Sequence, residues 1–297
     1  MGRAYIGISG WTYAGWRGVF YPPTVPHRRE LEYASRQFNA IEINGTFYRL
    51  QRPENFVHWR NETPKGFRFA VKGSRFITHM KQLRDVRAPL ANFFASGVLR
   101  LEEKLGPLLW QFSERMRFDP ARFAAFLELL PRSEGAAARL ARGHDRRVAG
   151  RASFHTQTDR KLRHALEVRH PSFFCDDFLD LLRSHNAALV FSDAAADWPY
   201  AEDVTADFIY IRLHGAEELY ASGYDDPALD AWARRARCWL AGSEPRDVRR
   251  AGSKRARKRT SRDVYVFFDN DAKVRAPFDA TGLADRLAIS WRQDHAE

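Results

Sequence analysis

The sequence predicts an α/β fold of the (β/α)8 TIM-barrel type, formed as a single domain. Three observations carry this. Eight short apolar runs recur along the chain, each followed by a helical pattern. A length of 297 residues with 44% hydrophobic composition fits one large α/β domain with a sizeable core. The competing arrangement, a doubly wound open sheet, lacks its ligand signatures: no G-x-G-x-x-G follows the first run and there is no P-loop. No internal repeat is found.

The elements follow in order. YIGIS (5–9) is the first strand, and RRELEYASRQF supplies the helix after it. AIEIN (40–44) and PENFVHWR form the second pair, and FRFAVK (67–72) and APLANFFASGVLRLEEKLG the third. PLLWQF (107–112) precedes PARFAAFLELL, and HALEVR (164–169) precedes CDDFLDLLRSHN. ALVFSD (188–193) and FIYIRLH (208–214) are strands six and seven, with DPALDAWARRARCWLAG behind them. VYVFFD (264–269) closes the set before DATGLADRLAISW.

Strand parity then locates a site. Successive strand side chains point to opposite faces. If Ile41 and Ile43 face the helices, Glu42 and Asn44 face the barrel interior. The same alternation turns Lys72, Glu167, Arg169, Arg212 and His214 inward, and Gln111 lies at the end of strand four. A barrel interior is ordinarily layered with Val, Ile and Leu, and barrel enzymes keep their sites at the C-terminal ends of the strands, where these residues lie. Two arrangements fit the pattern. In one, the charges pair into a structural network, because buried charges must be neutralised. In the other, a cation is left for a ligand. Three fixed cations (Lys72, Arg169, Arg212) against two carboxylates (Glu42, Glu167) favour the second, and Arg212 is the expected anion contact.

The charge of +11 is concentrated in two places. Residues 249–262 (RRAGSKRARKRTSR) hold eight basic and no acidic residues. Residues 132–163 hold nine basic and three acidic residues, a net of +6, so the rest of the chain carries 11 − 14 = −3. Both stretches are poor in large apolar residues, which predicts that 132–163 and 244–262 are basic insertions or mobile loops. Two distant cysteines, Cys175 and Cys238, imply neither a disulfide framework nor a zinc site and point to a reducing, cytoplasmic setting. No apolar run is long enough to span a bilayer, so no membrane role is expected. The start, MGRAYIGISGW, reads as a strand and not as a signal peptide.

Several segments carry a family resemblance. ISGWTYAGWRGVFYP (8–22), EINGTFYRLQRPE (42–54), FRFAVKGSRFITH (67–79), LGPLLWQF (105–112), LEVRHPSF (166–173), VTADFIYIRLHG (204–215) and FFDNDA (267–272) lie along almost the whole chain. In these the sequence resembles the YecE-like family, also called domain of unknown function 72. The resemblance implies a TIM barrel related in shape to the endonuclease IV and xylose isomerase group, and implies no activity. A DNA-repair role suggested for the family rests on that shape alone. Two departures stand out. Ser113-Glu114-Arg115 replaces a proline-containing turn after strand four, and F-N-N-D becomes Phe268-Asp269-Asn270-Asp271, which adds a carboxylate at the end of strand eight.

The chemistry these residues offer stays open between classes. Glu42, Glu167 and His214 are the catalytic candidates. Trp11, Asn44, Tyr48, Lys72, Gln111, Arg169, Arg212 and Asn270 are the ligand-binding candidates. As paired carboxylates, Glu42 and Glu167 would suit glycoside hydrolysis, but a cation beside each holds it ionised and spoils the general acid. A metal is not expected, because the interior cations oppose it, and no cofactor is assigned. The aromatic rim after strands one, two, six and seven suits unstacked bases or sugars bearing an anionic group, with Trp16 and Phe20 reading as loop anchors. The 249–262 tract suits nucleic-acid phosphates without base reading. Three functions follow. The first is a phosphate-bearing ligand at the barrel mouth, nucleic acid with a repair or phosphodiesterase role included. The second is an enzyme of sugars or sugar phosphates, and the third a binding module without catalysis.

Overall fold

The computed structural model of the chain describes residues 2–195 and 198–294. Eight strands, β1 (Ala4–Ser9), β2 (Ala40–Ile43), β3 (Arg68–Lys72), β4 (Leu105–Gln111), β5 (His164–Glu167), β6 (Ala188–Asp193), β7 (Phe208–Leu213) and β8 (Asp263–Phe268), pair in parallel and in sequence order. β8 returns to β1, with Ala4 opposite Val264 and Ile8 opposite Phe268, so no sheet edge is left open.

The helices are α1 (Glu30–Gln37), the single turn α2 (Gly45–Tyr48), α3 (Pro53–Glu62), α4 (Arg87–Ala95), α5 (Pro120–Leu129), α6 (Glu134–Ala141), α7 (Asp176–His185), α8 (Asp226–Leu240), α9 (Ala276–Arg286) and the short α10 (Trp291–Asp294). Local chemistry sets several ends. Asp119, Ser133 and Asp225 each accept a backbone N–H as N-caps of α5, α6 and α8. The described residues between β6 and β7 form no helix. One expected helix is broken. APLANFFASGVLRLEEKLG leaves the α-helix at Ala95, because Gly97 takes φ 112°, a left-handed conformation that ends a helix without steric cost.

The barrel has two cores. Outward-facing Ile6, Ile8, Ile41, Ile43, Phe69, Val71, Leu166, Ile209 and Val264 join the helices in one large apolar cluster. Inside, Tyr5, Ala40, Ala70, Leu109, Val190, Phe208, Tyr210, Tyr265 and Phe267 fill the lower and middle layers. Gly7 lies in this inner face, where a Cβ would stand 1.8 Å from the Ala40 carbonyl oxygen. Only glycine lets β1 and β2 approach so closely.

The basic stretches take definite places. Within 132–163, Glu134–Ala141 is not loop but helix α6, packed against α4 through buried Ala137, Ala138 and Ala141. The 249–262 tract runs along the outer flank of the barrel. Ser253 bonds Asp176 and Lys254 bonds Asp180 of α7, and the tract ends at Arg262, directly before β8.

Candidate functional site at the barrel mouth

The C-terminal ends of the strands bring one polar cluster together. β2 contributes Glu42, β3 Lys72, β4 Gln111, β5 Glu167 and, just beyond it, Arg169; β7 contributes Arg212 and His214. Apart from Arg169, each is buried. Parity placed them here, because each is two residues above an inward-facing Ala40, Ala70, Leu109, Ala165 or Tyr210, or at the next inward step.

Arg212 is the centre and is fully buried. Its Nη2 donates to Glu42 Oε1 (2.9 Å) and Asp269 Oδ2 (2.8 Å), its Nη1 to Glu167 Oε2 (2.8 Å) and its Nε to Glu42 Oε2 (3.2 Å). Glu42 also accepts from Tyr210 Oη (2.6 Å) and Ser9 Oγ (3.0 Å). Glu167 accepts from Gln111 Nε2 and from Arg169 Nη2, each at 3.0 Å. The ring nitrogens of His214 face Glu167 (3.3 Å) and Asp269 (3.1 Å). Trp198 covers the cluster. Its ring carries the Arg169 guanidinium at 3.6 Å and meets His214 edge-on. Its Nε1 donates to Glu114, in the loop that departs from the family pattern.

Asp269 changes the count made from sequence. With it, Lys72, Arg169 and Arg212 face Glu42, Glu167 and Asp269, three against three. Arg212 has its donors on carboxylates, and no surplus of fixed charge is left. The free cation is free for a different reason. The Nζ of Lys72, a residue 7% exposed, has neither a carboxylate within 4.0 Å nor a hydrogen bond among the described residues, while its carbonyl accepts from Thr46 Oγ1. Its Nζ lies over the Phe47 ring at 4.5 Å. Burial, and after it the Arg212 charge, push its pKa down to about 8.

The carboxyls divide by environment. Burial alone would raise Glu167, but Arg212, Arg169 and His214 outweigh it and hold it well below the ordinary value. Asp269, largely but not fully buried, is brought down to about 2 by Arg212 and His214, against the effect of its burial. Asp271 has no such partner. Burial and then the Asp269 charge raise it to about 6. His79 sits across Phe47, ring centroids 5.2 Å apart, and burial, Arg169, Lys72 and Arg75 lower its pKa.

The Asp269 shift implies a pH dependence. Its folded pKa lies below the unfolded value of about 3.9, so its stabilisation, about 2 kcal/mol, is complete above that value and is lost as pH falls through 2. Acid unfolding followed by near-ultraviolet circular dichroism should steepen between about pH 4 and 2, and Asp269→Asn should flatten that limb. A limb of unchanged steepness would remove Asp269 from the ionic centre.

The other candidates lie around this core or away from it. Asn44 begins α2 at the rim, with its buried Oδ1 lacking a hydrogen bond. Tyr48 is 64% exposed, beneath the Arg75 guanidinium. Trp11 packs on Trp59 of α3 and on Phe69, toward the helix side. Asn270 is buried and donates to Ser222 and to Asp279 of α9, which ties two loops together outside the mouth. Trp16 and Phe20 pack with Tyr21, Tyr33 and Phe38 as anchors. Asp269, which the sequence marks only as an added carboxylate at the end of strand eight, joins the ionic centre, and Asp271 and His79 lie beside it outside the catalytic and ligand-binding candidates. No group of three or more His, Cys, Asp or Glu among the described residues is arranged to hold a metal ion.

A model of the family described as "Protein of unknown function DUF72" matches residues 5–297. The chain is 30% identical to UPF0759 protein YecE of Escherichia coli (strain K12) over 126 residues, 38% of this chain and 44% of that protein. It is 35% identical to UPF0759 protein YunF of Bacillus subtilis (strain 168) over 74 residues, a quarter of each. The match thus spans less than half the length of these curated relatives. Among solved structures, a DUF72 family protein of Thermotoga maritima MSB8 superposes with TM-score 0.72 at 24% identity, covering 96% of this chain and 99% of that one. One of Enterococcus faecalis V583 gives 0.69 at 16%, covering 97% and 96%. These likenesses establish the barrel and carry no activity. No described helix is long and apolar enough to cross a membrane.

Proposed function

The chain belongs to the DUF72 family, and for this member we propose that the barrel mouth binds a small phosphate-bearing ligand whose charge is neutralised by Lys72. One observation carries the reading: Lys72 is a largely buried lysine whose Nζ has no carboxylate within 4.0 Å among the described residues, in a cluster where Arg212 and Arg169 are both paired. An uncompensated buried charge is costly, and an incoming anion removes the cost. The site is suited to a small molecule more than to a strand of nucleic acid. Trp11 is packed on Trp59, and Trp198 is occupied by Arg169, so two of the expected stacking platforms are in use.

An enzyme of sugar phosphates is the second reading, and Asp271 favours it. At about 6, its carboxyl exchanges a proton near neutrality, as Glu167, held ionised chiefly by Arg212, does not. In that reading Asp271 and His79 take the acid–base role expected of Glu42, Glu167 and His214.

Calorimetric titration with glucose 6-phosphate, inorganic phosphate and glucose tests the binding. The phosphate compounds should bind and glucose should not. Lys72→Met should weaken binding about tenfold or more, as should raising the pH from 7 to 9.5, since Lys72 loses its charge through about 8. Arg49→Ala, on the exposed rim, should leave affinity unchanged. Equal affinity for glucose, or none lost in Lys72→Met, would refute the reading.

A further inference from the structure

A second cationic site lies on the barrel's flank. Two adjoining clefts, of about 660 and 510 Å³, run along the 249–262 tract and share Arg255. The first is lined by Arg183, Lys254, Arg255, Arg257, Arg259 and Arg262, with Asp180 the one carboxylate in its wall; the second has Arg246, Arg250, Arg255 and Lys258, with Glu244. The acids are engaged: Asp180 pairs with Arg183 (3.0 Å) and Lys254 (2.5 Å), and Glu244 with Arg250 (3.2 Å).

Arg262 is the exceptional member. It is 2% exposed and has no carboxylate within 4.0 Å among the described residues. Two of its nitrogens donate to the carbonyls of Ser243 and Arg257, and its buried Nε has no partner. Arg183 and Arg250, in the same walls, also leave a buried Nε unpartnered. The exposed Arg255, Arg257 and Arg259 make no ion pair among the described residues, and their guanidinium forks match the oxygens of phosphate. No aromatic side chain lines either cleft, so bases have nothing to stack on.

We propose that these clefts bind the phosphate backbone of a nucleic acid without reading its sequence, with Arg262 anchoring one phosphate and the exposed Arg255, Arg257 and Arg259 holding its neighbours. Two clefts joined through Arg255 suit successive phosphates more than a single phosphate. The surface is separate from the mouth. Arg262 precedes β8 and Asp269 follows it, so the two stand a strand's length apart, roughly 20 Å.

The test uses the full-length protein and labelled mixed-sequence DNA, single-stranded and duplex, by fluorescence anisotropy across a salt series, with pyrophosphate as competitor. Arg255→Ala/Arg257→Ala/Arg259→Ala changes only exposed side chains and should leave folding intact. It should reduce the log–log salt slope by about 0.9 per lost contact on duplex and about 0.7 on single strands. Arg262→Gln should lower affinity for both forms alike, and Lys72→Met should leave DNA affinity unchanged. An unchanged slope in the triple variant, no binding at low salt, or a loss of DNA affinity in Lys72→Met equal to that in the triple variant would overturn the proposal. So would complete displacement of DNA by equimolar pyrophosphate, which would indicate a site for a small phosphate compound and not for a nucleic-acid backbone. Binding of glucose 6-phosphate at the mouth is read separately, so either site can fail without the other.

Discussion

Arg212→Ala should destabilise the protein by several kcal/mol, about 3–5, the range typical when one partner of a buried ionic group is removed. The loss would leave Glu42, Glu167 and Asp269 in a buried site without the guanidinium that bridges all three. Arg212→Lys would not rescue it, because an ammonium cannot span four oxygens from one plane. Denaturant unfolding measures the effect. A change of under 1 kcal/mol, the scale of a surface pair, would show that water or a rearranged network replaces Arg212.

Lys72→Met should act in the opposite direction. The folded protein holds Lys72 at about 8 against about 10.4 unfolded, so below pH 8 the ammonium is protonated in both states and its burial is fully disfavoured. Between about pH 8 and 10 the unfolded chain binds more protons, and stability rises with pH. Replacing the ammonium by an apolar side chain should therefore stabilise the protein at pH 7 by up to about 3 kcal/mol and abolish the rise above pH 8. A residue that costs stability where it stands is a mark of function more than of architecture. If Lys72→Met destabilises the protein at pH 7, Lys72 is a structural partner of the carboxylates.

The contrast between these two residues shows what the sequence could convey. Alternation along each strand was enough to turn Glu42, Lys72, Glu167 and Arg212 into one interior, because the facing residues Ile41, Val71, Leu166 and Ile211 have nowhere else to go than the helix layer. The pairing inside that interior was not legible. Arg212 meets Asp269 57 residues away and Glu42 170 residues away, and only closure of β8 on β1 and β7 brings them together. Lys72 stands apart because its side chain lies over Phe47, a matter of direction that composition does not encode. The place of the carboxylate added at the end of strand eight is legible. Continuing the alternation from inward Phe267 makes Asp269 inward and Asn270 outward, as observed, and would have balanced the charges at once. Gly97 likewise marked the end of α4 inside a run that otherwise reads as one helix.

The ammonium at the mouth can be observed directly. In protein labelled with 13C and 15N at lysine and followed by NMR, the Lys72 side-chain signal is identified by its absence from Lys72→Met. It should titrate near pH 8 in the free protein and move up by about a unit or more when glucose 6-phosphate saturates the mouth, since a bound anion favours the charged form. A Lys72 that titrates with the surface lysines near 10.4, or one whose titration is unmoved by the phosphate ester, would contradict a free buried cation awaiting an anion.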